Sequence, residues 1–105
     1  MLRIKLLIAT LVLLSAGVNA QSVKGKLADV IDNKPLSGAT LSLTSLKDST
    51  QRFNTISDGS GRFEFNNLYK DSFTLKVSFI GYEDFKQIVG VGDSAVNLGT
   101  LFIPK

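Results

Sequence analysis

The most chemically suggestive cluster in this sequence is Asp58-Gly59-Ser60-Gly61. A carboxylate and a hydroxyl among glycines are raw material for a cation-binding loop. Such a loop, however, needs several oxygen ligands at fixed spacing and a bidentate acid at its end. Only Asp58 and Ser60 stand early in the segment, and Glu64 falls on an alternating strand pattern. The same four residues suit a tight turn in which Asp58 caps backbone N–H groups and the glycines, Gly61 among them, take positive φ; we read a turn. Glu83 and Asp84 are adjacent acids. Neighbours on a strand face opposite sides, so they are not a ready catalytic pair. Tyr69, Tyr82 and Phe85 could form a stacking surface for a sugar or another small ligand. Within Phe79-Ile80-Gly81-Tyr82 the alternative is structural: Gly81 allows a bulge or a change of direction. Tyr82 then covers the end of a core, with its hydroxyl reaching water or a backbone carbonyl. In Lys34-Pro35-Leu36-Ser37-Gly38 a recognition loop competes with a simpler role. Pro35 stiffens the approach to the next strand, and Gly38 lets that strand start close to its neighbour.

Composition removes whole classes of chemistry. The 105 residues include no His, Cys or Trp. A zinc site of nitrogen or sulfur ligands is therefore excluded, as are a Ser-His-Asp or Cys nucleophile system and a disulfide framework. No cofactor is implied. Function has to come from shape, from surface groups, or from something attached.

Residues 1–20 read as a secretory signal peptide. Arg3 and Lys5 supply the positive start, Leu6–Leu14 is apolar except for Thr10, and Val18-Asn19-Ala20 places small residues at the cleavage positions. The apolar stretch Leu6–Val18 is shorter than the roughly 20 residues that span a bilayer. No Cys follows it to carry a lipid. The expected mature chain, 21–105, has no transmembrane segment. Losing Arg3 and Lys5, and no acid, takes the formal charge from +3 to +1. That balance gives little attraction to nucleic acid or to an anionic membrane. An exported chain without Cys fits the periplasm better than a cross-linked extracellular scaffold.

The elements that must position these residues have a period of 2. Val23, Gly25 and Leu27 alternate with Lys24, Lys26 and Ala28; Ala39, Leu41 and Leu43 with Thr40, Ser42 and Thr44. Phe63 and Phe65 alternate with Arg62, Glu64 and Asn66, and Phe73, Leu75, Val77 and Phe79 with Thr74, Lys76, Ser78 and Ile80. Each run presents one face to a core and one to solvent. Turn residues separate them: Asp32–Pro35, Lys47–Ser49, Asp58–Gly61, Asn66-Asn67 and Lys70–Ser72, then Gly81, Gly90 and Gly92-Asp93. The spacing predicts seven strands, at 22–30, 38–46, 50–57, 61–66, 72–80, 83–89 and 95–103. No helical stripe follows residue 20. The expected fold is all-β, a seven-stranded antiparallel Greek-key β-sandwich, with a stability of roughly 4–13 kcal/mol.

These segments form a familiar series: Val23–Leu27, Lys34–Leu43, Ser57–Phe65, Asn67-Leu68, Phe73–Tyr82 and Val96–Leu101. In order and spacing the series resembles the carboxypeptidase regulatory-like domain. It looks most like the form at the N-terminus of TonB-dependent receptors and related outer-membrane β-barrel proteins of Bacteroidetes-type bacteria. The resemblance covers residues 22–103 and implies a transthyretin-like (prealbumin-like) sandwich without catalytic residues, exported to the periplasm as an accessory unit. The zinc-binding His and Glu motif of the peptidases that lend the family its name is missing, so peptidase activity is not expected. No barrel strands and no TonB-contacting segment are recognisable here. A free-standing secreted sandwich and a piece of a receptor both stay open. The expected partner is an envelope protein or the absent β-barrel domain, docking on a sheet face or an edge strand. The rival reading is a carbohydrate- or small-ligand-binding module.

Overall fold

A computed structural model describes residues 21–105; the leader expected at 1–20 lies outside the described residues. Seven strands follow in order: β1 Gln21–Asp29, β2 Thr40–Ser45, β3 Arg52–Ile56, β4 Arg62–Leu68, β5 Asp71–Ser78, β6 Phe85–Val91 and β7 Val96–Ile103. They form two layers, a three-stranded sheet in the order β4-β1-β7 and a four-stranded sheet in the order β3-β2-β5-β6. The chain changes layer between β1 and β2, between β3 and β4, between β4 and β5, and between β6 and β7. Only β2–β3 and β5–β6 are hairpins within one sheet.

Period 2 decides which side chains meet between the layers. Leu41 and Leu43 of β2, Phe63 and Phe65 of β4, and Phe73, Leu75 and Val77 of β5 are all buried. With Val23, Leu27, Val89, Val91, Leu101 and Ile103 they make one continuous core. Each large side chain removed from water contributes roughly 1.5–3 kcal/mol. The intervening residues of β4 (Arg62, Glu64) and Lys76 of β5 lie in solvent. Gly25 faces the same way as Val23 and Leu27, where the Phe63 ring takes the space a side chain would need.

Three features depart from the alternating, all-antiparallel expectation. The first is that β1 pairs parallel with β7. A parallel pair needs a long connection, and these two strands are joined through all the others, so the hairpin argument never constrained them. The second concerns β1 after Lys26, where Leu27, Ala28 and Asp29 are all buried. The outer side of that segment is covered by the chain after the turn. Pro35 bridges Ala28, and the Leu36 N–H donates to the Leu27 carbonyl at 3.1 Å. Third, every strand's bounds move by one or two residues, and two of these shifts reassign residues named above. β4 runs through the expected Asn66-Asn67 turn to Leu68, and β6 begins at Phe85 and includes Gly90. Glu83 and Asp84 consequently lie in a connection and not on a strand.

Candidate functional site: a buried carboxylate corner and the sheet edges

The least expected group is Asp29, 2% exposed at the end of β1. An ionised carboxylate survives burial only when its lone pairs are used. Asp29 Oδ1 accepts the N–H of Ile31 at 2.7 Å and that of Asp32 at 3.3 Å. Oδ2 accepts the Tyr82 hydroxyl at 2.7 Å, with Lys105 Nζ at 3.9 Å. The Tyr82 hydrogen bond, then the Ile31 N–H, outweigh burial and hold the Asp29 pKa below the usual carboxylate range. The same bond pushes the Tyr82 phenol up to about 12, burial and the Asp29 charge adding to it. The Lys105 ammonium also stands 5.6 Å from the Tyr82 ring centroid, a cation–π distance. The corner ties the end of β1 to the β5–β6 connection and to the residues after β7. It is a latch: every oxygen of the carboxylate is occupied by the protein itself.

The other polar groups singled out from the sequence are used in the same way. Asp58 Oδ1 accepts the N–H groups of Ser60 and Arg62, each at 2.9 Å, which is the turn expected of it. Gly61 has φ +79°, and a Cβ there would lie 2.5 Å from the Leu27 carbonyl oxygen. Gly38 also has φ +79° but nothing within 4 Å of a would-be Cβ. The close approach foreseen at Gly38 therefore belongs to Gly61, because the 57–61 turn folds down onto β1 and the 37–38 turn projects outward. Pro35 sits in the bridge to Ala28, and Gly81, at φ +87°, changes the chain direction after β5.

Two buried serines gave no signal. Ser57 Oγ donates to the Leu36 carbonyl at 2.7 Å and accepts the Ala39 N–H at 2.9 Å. Ser45 Oγ donates to Asp71 Oδ2 at 2.7 Å. That bond, with the Ser72 N–H, lowers the Asp71 pKa. Among the described residues no buried side-chain nitrogen or oxygen lacks a partner, and no three metal-ligating side chains converge.

The aromatic residues do not share a surface. Tyr69 packs on Phe53 and Phe73 at one end of β5, with centroids 6.0 and 5.6 Å away. Tyr82 packs edge-on to Phe79 at the other end, 5.3 Å away. Phe79 lies six steps along the chain from Phe73, about 20 Å when extended. Phe85 is half-buried at the start of β6. The Tyr82 hydroxyl finds the Asp29 carboxylate, where water or a backbone carbonyl was expected.

The edges remain. Each sheet ends in strands with unpaired backbone groups on their outer side. Both edges of the three-stranded sheet are interrupted. In β4 an extra residue sits between the partners of Gln21 and Val23, with Asn67 at φ 59°. In β7 an extra residue sits between the partners of Lys24 and Lys26. There Gly99 has φ 68° and donates its N–H to Asn97 Oδ1 at 3.0 Å. Of the four-stranded sheet's edges, β3 has five residues and β6 seven, and both keep an unbroken register.

The architecture matches solved structures at low identity. The group B streptococcus pilus 2b backbone protein is 19% identical with a TM-score of 0.66, over 84% of this chain and 42% of that one. BcpA, the major pilin subunit of Bacillus cereus, is 11% identical with a TM-score of 0.62, over 81% and 30%. The 3-chlorocatechol 1,2-dioxygenase of Rhodococcus opacus 1CP is 12% identical with a TM-score of 0.63, over 83% and 60%. This chain thus spans less than two thirds of each, and the likeness is one of fold. No curated protein sequence matches. The model of the carboxypeptidase regulatory-like domain matches residues 22–99, nearly all of the β-sandwich. The chain belongs to the carboxypeptidase regulatory-like domain family.

Proposed function

We propose that this chain is a non-enzymatic docking domain of the bacterial envelope, exported by residues 1–20 and engaging an envelope partner through a sheet edge. One observation carries the reading: the buried polar side chains serve turns and corners, and unpaired polar groups stand in rows along the edges. Backbone donors and acceptors in a row bind an extended segment without any catalytic side chain. The resemblance to the front domain of outer-membrane receptors supports a periplasmic location beside a β-barrel partner, whether that partner is covalently joined or separate. The sugar-binding alternative would need an aromatic platform, and Tyr69 and Tyr82 stand at opposite ends of the sandwich.

A photoreactive residue tests this in envelope preparations. Placed at Asn54, Glu64, Ile88 or Thr100 it samples the four edges; at Lys24 or Lys76 it samples the middle of each sheet. Cross-linking to a defined envelope protein from one edge and not from the sheet centres is the expected result. No cross-link from any edge would sink the docking reading. Cell fractionation with an antibody to residues 22–103 tests the location.

A further inference from the structure

We propose that β6 is the accepting edge, and that its occupant is an extended partner segment carrying an apolar residue, any residue, then an acidic one, paired antiparallel with Phe85–Val91. This rests on the docking reading above and specifies its edge and its chemistry.

The backbone argument comes from hydrogen bonds on the far side of the sheet. The N–H of Leu46 donates to the Ser72 carbonyl, and that of Ser45 to the Gln51 carbonyl. Ser72 therefore points its backbone groups toward β2, and Ser45 points toward β3. In an antiparallel sheet this direction alternates residue by residue. Phe73 then points toward β6 and bonds Val89, its register partner. Ser72 and Thr74 point away from β6, so their partners Gly90 and Ile88 point outward, and Lys86 does too. The N–H and C=O groups of Lys86, Ile88 and Gly90 form a straight, unbulged row. A bulge breaks the corresponding row on β4 and on β7, a device that blocks edge pairing. β3 is shorter, and Ile56 shares an open groove with Arg62 and Lys24 of the other sheet.

Lys86 and Ile88 also expose their side chains, and these define the occupant. Lys86 stands directly across from Lys76 on the outer face. Like charges opposed on a sheet are unfavourable. Asp84 approaches Lys76 at 3.7 Å, and no ion pair among the described residues serves Lys86. Ile88 is 67% exposed beside Thr74. The next strand would relieve both by setting an acid against Lys86 and an apolar side chain against Ile88. A second copy of this chain meets only half of that requirement. Antiparallel self-pairing centred on Ile88 sets Lys86 against Gly90, leaving the lysine uncompensated.

The probe is a capped synthetic peptide with the core Val-Thr-Ala-Val-Thr-Glu-Val, titrated into the isotope-labelled protein. Saturable amide shifts and slowed hydrogen exchange are expected at Lys86, Ile88 and Gly90. Exchanging the peptide's Glu for Lys should weaken binding about fivefold. Lys86→Glu should reverse that preference. Ile88→Pro removes an outward N–H without touching the β5 ladder, and binding should vanish with the remaining spectrum intact. If that variant misfolds, the charge swap still decides. Shifts centred on Arg52–Ile56, no shifts at all, or equal affinity for both peptides would overturn the proposal. Concentration-dependent β6 shifts without peptide would overturn the occupant in favour of a second copy. Cross-links from another edge with a silent β6 would reject this edge alone, whereas no cross-link from any edge would reject docking itself.

Discussion

Replacing Gly61 by alanine puts a methyl group where the 57–61 turn lies on β1, and Gly38→Ala is its internal control. Both glycines have φ +79°. A residue with a Cβ pays roughly 1–2 kcal/mol for that conformation, and the loss of unfolded-chain freedom is the same in both variants. Only the surroundings differ. At Gly38 the new methyl meets nothing within 4 Å. At Gly61 it would sit 2.5 Å from the Leu27 carbonyl oxygen and 3.2 Å from the Leu36 nitrogen, whose N–H donates a hydrogen bond to that same carbonyl. Something must move. Overpacking of this kind costs roughly 1–3 kcal/mol, and a weakened buried hydrogen bond roughly 0.5–1.5 kcal/mol. We expect Gly61→Ala to lose about 3–5 kcal/mol and Gly38→Ala about 1 kcal/mol, against a total of roughly 4–13 kcal/mol. Equilibrium urea denaturation of the purified proteins, followed by circular dichroism, reads the difference from the midpoints if the slope is unchanged. Equal losses in the two variants would refute the close-approach argument.

Three further outcomes are expected. In a Tyr69→Phe background, the alkaline absorbance titration should report the Tyr82 phenol near 12, and Asp29→Asn should bring it back toward the ordinary phenol value. That raised pKa stabilises the fold below the ordinary phenol range, and the contribution is lost as pH rises through about 12. The depressed pKa of Asp29, with those of Asp48 and Asp71, works in the opposite direction. Stability should hold above roughly pH 4 and fall as pH drops through the folded values, and the fall in urea midpoint should be shallower in Asp29→Asn. Ser57→Ala should cost roughly 1–3 kcal/mol because it leaves the buried Leu36 carbonyl and Ala39 N–H without their shared partner; Ser60→Ala, at an exposed turn, should cost far less in the same denaturation assay.

Much of the sandwich is written in local pattern. Side chains on a strand alternate sides whatever the neighbours are, so Leu41/Leu43, Phe63/Phe65 and Phe73/Leu75/Val77 identify their buried faces without knowledge of pairing. The Asp58 turn was legible for the same reason, since its side chain bonds backbone groups only two and four residues away. The missing His and Cys likewise exclude their chemistries in any fold.

Tertiary structure decided what depends on residues far apart in the chain. The Asp29–Tyr82 bond spans 53 positions and the Ser57–Leu36 bond 21. No spacing rule announces such a pair, and an aspartate or serine on a strand reads as solvated until the covering loop is in place. Whether a turn glycine projects outward, like Gly38, or lies on a neighbouring strand, like Gly61, depends on where the 57–61 turn falls in space. Parallel pairing of β1 with β7 joins the two ends of the described chain, where no local connection constrains direction. The edges belong to this second group. A residue's outward direction is local, but which strand lacks a neighbour is a property of the assembled sheets, and only the order β3-β2-β5-β6 leaves the row of Lys86, Ile88 and Gly90 without a partner.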